Sequence, residues 1–316
     1  MGEMLRAVDR VEIMTLQDNY IDLLARDSST VVQRAIPLVG LEIKNSVLAE
    51  HGFSSLVSVS CDNQRRDLMF DFGFSQHGAA FNADALSIDL TGVEVLALSH
   101  GHPDHTGGLR ELCRRIRKSE LELVAHPAAF RASRCQKITE EIRIHFPAFT
   151  QMSVREAGAK AMESEKPISL LDGLALFLGE IPRKTDFEKV PPSFYFVEQS
   201  VEKPDLIEDD TSLVFHLKGR GLIILSGCAH AGIINTVEHA RNVTGVDEIF
   251  AVMGGFHLCQ SDVDSVIAPT VEALTRMSPT YVIPTHCTGK TASDFIQNKM
   301  PNQFLLNMSG TRMVFS

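Results

Sequence analysis

Between residues 100 and 105 the chain carries three imidazoles and one carboxylate: His100, His102, Asp104 and His105. They belong to Ser99-His100-Gly101-His102-Pro103-Asp104-His105-Thr106-Gly107-Gly108, which follows the apolar segment Val93-Glu94-Val95-Leu96-Ala97-Leu98. Imidazole nitrogen and carboxylate oxygen are ligands for zinc, iron and manganese. The apolar segment reads as a buried strand, which places the cluster at a strand's C-terminal end. In extended backbone His100, His102 and Asp104 point to one face. Pro103 biases His102 toward the extended region and disfavours an early helix. His105 breaks the alternation, so one short loop offers ligands in two directions, as two adjacent metal ions require.

Ligand-type residues follow a predicted strand in three further places: Cys228 and His230 after Leu225, His257 after Val252, and His286 after Ile283. Loops at the carboxyl ends of strands are where α/β sheets build their sites. A lone His at a strand end is ordinarily a surface or capping residue, but four such ends in register are hard to explain as packing. Cys228 reads equally as a thiolate ligand or a small core residue. His257 is a ligand, a partner of a ligand or a proton carrier, and an unligated site role fits best, which makes it a catalytic candidate beside Asp104. Asp209 and Asp210 read as ligands or as a solvated turn. Thr288-Gly289 with Lys290 reads as an anion site or a plain helix cap. Arg183, Lys184 and Lys189 are phosphate candidates by charge alone.

The first loop resembles the His-x-His-x-Asp-His motif of the metallo-β-lactamase superfamily. Ala49-Glu50-His51-Gly52-Phe53, Leu68-Met69-Phe70-Asp71-Phe72-Gly73, Ser226-Gly227-Cys228-Ala229-His230-Ala231-Gly232, Gly254-Gly255-Phe256-His257-Leu258 and Pro284-Thr285-His286-Cys287-Thr288-Gly289 narrow it to one branch. In that order they resemble the 7,8-dihydropterin-6-ylmethyl-4-(β-D-ribofuranosyl)aminobenzene-5'-phosphate synthase family, over about residues 8–300. By matching position the resemblance implies one metal on His100 and His102, and a second on Asp104, His105 and His286. It implies that Cys228 stands where many members have a bridging Asp. The usual third-motif His is missing before Ser212, and Glu208-Asp209-Asp210 stands there; His230 is the replacement expected for it. Asp71 resembles a residue that orients a metal-bound His rather than binding metal itself. His51 belongs to the resemblance without a role that can be derived.

The chain has 316 residues, 44% of them hydrophobic and 22% charged, as in an ordinary globular protein. Its formal charge of −10 argues against nucleic acid as a partner. No apolar run has the length of a membrane span, and the first residues lack a signal peptide's apolar core. The six cysteines form no Cys-x-x-Cys pair, which fits a reducing compartment. A cytoplasmic location is therefore expected. The substrate expected is small, anionic and phosphorylated, since bound metal ions would supply the local positive charge. Oligomeric state is not legible.

Strands are predicted over residues 8–15, 55–61, 68–71, 93–99 and 121–125, with helices near 80–86 and 109–118 and a helical turn at Pro127. Residues 131–208 are dense in charge and proline and read as long connections, an inserted lid-like excursion from which residues 170–178 return to the main sheet. Beyond it, residues 212–217 and 222–226 read as a hairpin, followed by helix 233–241, strand 248–253, helix 263–277, strand 281–284 and helix 292–297. The pattern alone gives a mixed α/β protein. The resemblance implies a single domain over residues 1–316 with the αββα sandwich, two facing mixed sheets with outer helices.

The cofactors expected are two divalent metal ions, zinc first, with iron or manganese as alternatives. The resemblance implies a transferase that joins a dihydropterin-methyl group to the aminobenzene partner and releases diphosphate. A hydrolase of a phosphoester or related bond would use the same dinuclear site, with water acidified on the metal as nucleophile. A metal-retaining binding protein is the third reading.

Overall fold

The computed structural model describes residues 5–43, 45–259 and 261–316. Two mixed sheets face each other. One is eight-stranded, in the order Ala159–Glu163, Leu121–Ala125, Val93–Ala97, Gln64–Phe72, Ser54–Cys61, Arg10–Gln17, Thr311–Phe315 and Val32–Arg34. The other runs Ile168–Leu170, Ala175–Phe177, Ser212–Leu217, Gly221–Ser226, Ile249–Gly255 and Tyr281–Thr285, with Ala7–Val8 paired to Ser212–Leu217. Gly221–Ser226 and Ile249–Gly255 are buried along their whole length, because both faces of that sheet are covered.

The packing explains the layers. Val11, Val57, Phe70 and Val95 of the first sheet meet Phe215, Ile223 and Met253 of the second in one apolar slab. The second sheet's outer face takes helices Ile233–Thr244, Ala268–Met277 and Lys290–Lys299. The first sheet's outer face takes Gly78–Ala85 and Leu109–Ile116. The latter buries Leu109, Leu112, Cys113 and Ile116, one stripe of a 3.6-residue period. The architecture is thus the expected αββα sandwich.

Several elements differ from the sequence reading. The strand expected over 8–15 is two: Ala7–Val8 pairs in one sheet and Arg10–Gln17 in the other, so the chain crosses between layers at Asp9. The run 170–178 is a tight antiparallel hairpin, Ile168–Leu170 with Ala175–Phe177, turning through left-handed Leu171, Asp172 and Gly173. Helix 263–277 is a wide turn, Val263–Ile267, followed by Ala268–Met277, where Pro269 supplies no N–H donor.

The largest difference lies in residues 131–208. Instead of long connections they hold a four-stranded sheet, in the order Arg143–His145, Arg134–Lys137, Phe194–Glu198 and Val201–Pro204. They also contribute Ala159–Glu163 to the large sheet. The strands are short and interrupted by prolines, so no periodicity marks them. Among the described residues no helix is long and apolar enough to cross a membrane.

Candidate metal centre

The chain reaches the site through four strand ends. Strand Val93–Ala97 delivers Ser99 to His105, and strands Gly221–Ser226, Ile249–Gly255 and Tyr281–Thr285 deliver Cys228 to His230, His257 and His286. The backbone is left-handed at Asp71 (φ 57°), Ala229 (52°), His257 (48°) and His286 (43°). Non-glycine residues adopt that conformation where the surrounding structure dictates it, commonly at functional sites.

One sequence expectation fails in detail. Pro103 does not delay helix formation: Pro103–Thr106 is a helical turn with the proline at its first position, and His102 is extended at ψ 151°. Proline's fixed φ suits that first position. His100, His102 and Asp104 therefore do not share one face. His100 Nε2 lies 3.0 Å from His102 Nδ1, whereas Asp104 Oδ2 lies 3.1 Å from His286 Nε2 and 3.9 Å from His105 Nε2.

Among the described residues, two groups of donor atoms join the ligand loop to Cys228. His100, Cys228 and His230 offer atoms within 4.8 Å of one another, and so do His105, Cys228 and His286. Cys228 is common to both, and His105 Nε2 lies 3.2 Å from its Sγ. His102 adjoins the first set through His100, and Asp104 adjoins the second through His286.

Neighbouring groups aim the imidazoles. Asp71 accepts from His105 Nδ1 at 2.6 Å, from the Ser99 amide at 2.7 Å and from Ser99 Oγ at 2.7 Å. Ser99 Oγ is 2.9 Å from His100 Nδ1 and Asn19 Oδ1 is 2.9 Å from His286 Nδ1. With those Nδ1 atoms as donors, the Nε2 lone pairs of His100, His105 and His286 face inward.

Electrostatics match this arrangement at His100, His102 and His230. Burial, followed by the positive neighbours His105 and Arg134 respectively, pushes His100 well down and His102 to about 3. Burial and then His257 push His230 well down. Neutral imidazole is the ligating form. Burial would lower His105, but the carboxylates of Asp71 and Asp104 outweigh it and raise it to about 9. Burial pushes the Cys228 thiol up, and a cation beside it would draw off the proton. Neither ring nitrogen of buried His230, nor Nε2 of buried His102, has a hydrogen-bond partner among the described residues. Orphaned, inward-facing imidazoles of this kind fit a cation.

The remaining sequence candidates fall elsewhere. Asp209 and Asp210 are buried, contrary to a solvated turn, and among the described residues neither joins a group of donor atoms. Asp209 accepts the Gly101 amide at 2.7 Å and pairs with Arg134. Asp210 accepts the Ala231 amide at 2.9 Å, and burial raises its carboxyl to about 7. Both carboxylates thus hold the ligand loops in place. Lys290 pairs with Asp294, Thr288 Oγ1 accepts the Phe256 amide, and Arg183 donates to the carbonyls of Leu206 and Ile207. These contacts favour the structural reading of all three.

Sequence reasoning missed four contributors and derived no role for a fifth, His51. Asn19 aims His286, and the exposed His51 donates from Nε2 toward Asp104 Oδ2 at 3.2 Å. Phe194 stacks on His102 with centroids 5.5 Å apart, and Phe146 meets the same ring edge-on at 5.1 Å. Both phenylalanines come from the segment read as connections. The fourth, Cys287, joins Cys228 and His257 in a further donor group. Its signal was its place directly after His286.

Facing sheets, outer helices and His-rich loops at the strand ends define the class: the chain belongs to the metallo-β-lactamase superfamily, whose profile matches residues 50–188. Among particular relatives, it is 30% identical to the 7,8-dihydropterin-6-methyl-4-(beta-D-ribofuranosyl)-aminobenzene-5'-phosphate synthase of Methanocaldococcus jannaschii over 259 residues, 81% of this chain and 87% of that one. The structure of Tm1679, described as a metal-dependent hydrolase of the beta-lactamase superfamily, superposes with a TM-score of 0.71 at 25% identity, covering 96% of this chain and 98% of that one. Zinc-bound PqqB from Methylobacterium extorquens shares the fold, with a TM-score of 0.51, 11% identity and coverage of 96% and 99%.

Proposed function

We propose that this chain is a metal-dependent transferase that joins a dihydropterin-6-ylmethyl diphosphate to a (β-D-ribofuranosyl)aminobenzene 5'-phosphate and releases diphosphate. The observation that carries the reading is the pair of donor sets meeting at Cys228, which suits two cations side by side. The similarity to the synthase over 81% of the chain supports the choice of reaction.

In this reading His100, His102 and His230 would hold one cation and Asp104, His105 and His286 the other, with Cys228 common to both donor sets. Ions bound there would supply positive charge to bind the diphosphate and offset the charge it develops on leaving. Asp71, Ser99 and Asn19 keep the inward lone pairs available. Phe146 and Phe194 close the His102 side against water, which gives the small four-stranded sheet the role of a cover. Exclusion of water matters to a transfer, because water competes with the acceptor for the same carbon.

A hydrolase of phosphoesters or related bonds is the second reading, favoured by the likeness to Tm1679. Incubating the metal-loaded protein with both substrates separates them by mass spectrometry. A coupled pterin adduct with free diphosphate is expected, whereas hydroxymethyl-pterin or a cleaved phosphoester would establish hydrolysis. Absence of turnover on these and on lactones and thioesters would leave the binding-protein reading.

A further inference from the structure

We infer that Cys228, His257 and Cys287 form a third cation position, rich in sulfur, that shares Cys228 with the two sets described above and abuts the first, with the His257 and His230 ring centroids 4.0 Å apart. Their ligand atoms lie within 4.8 Å of one another, and both thiols are buried. Donors on one zinc or cobalt ion, with about 2.3 Å to sulfur and about 2.0–2.1 Å to nitrogen, stand within that spread.

The fold builds this group as deliberately as the other two. Gly221–Ser226, Ile249–Gly255 and Tyr281–Thr285 are consecutive parallel neighbours, and each ends in one member of the triad. Left-handed backbone at His257 and His286 turns the chain at the last two strand ends. As a result the adjacent residues His286 and Cys287 serve different groups: His286 meets Asp104, and Cys287 meets Cys228 and His257.

Space for the second thiol depends on a glycine. A Cβ on Gly255 would run into the Gly227 carbonyl oxygen and stand 2.5 Å from Cys287 Sγ and 3.2 Å from Cys228 Cα, so a side chain there would press on the neighbouring backbone as well as on Cys287. Cys287 Sγ now donates to the Cys228 carbonyl at 3.5 Å. The His257 Nδ1 atom is buried with no hydrogen-bond partner among the described residues. A buried imidazole nitrogen left unpaired beside two buried thiols is costly for packing alone and suits a ligand.

Donor chemistry sets the cation class. Two sulfurs and one imidazole select thiophilic, tetrahedral ions such as zinc or cobalt(II) over magnesium or calcium. The position shares Cys228 with the proposed dinuclear centre but needs neither Asp104 nor His102.

Cobalt(II) alone, added under reducing conditions, is the probe. Metal per chain is counted by mass spectrometry, and sulfur-to-cobalt charge transfer is read by absorption. The wild-type chain is expected to hold about three equivalents, and Cys287→Ser and His257→Gln about one fewer each, with Cys287→Ser also weakening the sulfur band. Circular dichroism confirms that each variant is folded. A wild-type chain that saturates at about two equivalents, with Cys287→Ser also holding about two, overturns the proposal. So does a folded Cys287→Ser protein with unchanged cobalt content and sulfur band. If His102→Ala loses cobalt while Cys287→Ser does not, the dinuclear reading stands and this one falls. The reverse pattern sustains the third position and removes the dinuclear one.

Discussion

Asp71 Oδ2 lies 2.6 Å from His105 Nδ1, with both side chains wholly buried. The same carboxylate takes the Ser99 amide and hydroxyl, and Ser99 Oγ in turn stands beside His100 Nδ1. One left-handed residue at the end of strand Gln64–Phe72 thereby aims two imidazoles that the proposed function assigns to different cations. Replacing Asp71 by Asn puts an amide donor opposite an Nδ1–H that is already a donor. Cation affinity should fall about 10–100-fold, as for other partners of ligating histidines. Chelator competition against zinc measures this, and an unchanged affinity would remove Asp71 from the site's machinery.

Cys228 belongs to both proposed sets, so its loss should affect both. Cys228→Ser is expected to lower the zinc content per chain more than His286→Ala, which belongs to one of the two. A folded Cys228→Ser protein with its full zinc complement would make the thiol a packing residue.

Arg134 connects the small four-stranded sheet to the ligand loop. Buried at 3% exposure, it pairs with Asp205 and Asp209, and Asp209 accepts the Gly101 amide between His100 and His102. Burial alone would raise Asp209, but the Arg134 guanidinium holds it well below the usual 3.8. A depressed folded value stabilises the protein fully above the unfolded value. That contribution is lost as the pH falls below 3.8 toward the folded value. Asp209→Asn should cost about 3–5 kcal/mol at pH 7, because it leaves Arg134 buried with less compensation. The difference from wild type should shrink in acid below the unfolded carboxyl value. Urea unfolding across pH tests both statements, and a constant difference would contradict the second.

Gly107 ends the ligand-bearing turn, its amide 2.9 Å from the Gly73 carbonyl. A Cβ there would run into the Phe74 carbonyl oxygen, which is backbone and cannot swing aside. Gly107→Ala should cost roughly 1–3 kcal/mol, as overpacking does. A urea midpoint equal to wild type would show that the two loops can part freely.

The sequence pattern determined a mixed α/β protein and the principal ligand loop, and the family resemblance supplied the layers. Apolar strands alternate with helices, one of which, Leu109–Ile116, buries its residues at i, i+3, i+4 and i+7, and these local patterns survive into the fold. The cluster from His100 to His105 and the histidines at strand ends were legible for the same reason, since residue type and spacing are local facts. The sheet within residues 131–208 was not legible, because short strands are stabilised by pairing across distant sequence, as Arg134–Lys137 pairs with Phe194–Glu198.

Tertiary structure alone decided which donors share a set. His102 and Asp104 are two residues apart, yet the turn at Pro103 parts them. His100 and His230 lie far apart in sequence and follow strands of different sheets, yet the facing of the two sheets joins them at Cys228. It also decided that Asp209 and Asp210 are buried supports rather than a solvated turn, and that consecutive His286 and Cys287 face different partners. Ligand type is a property of a residue, but a metal position is a property of where backbone turns and strand register place several residues at once.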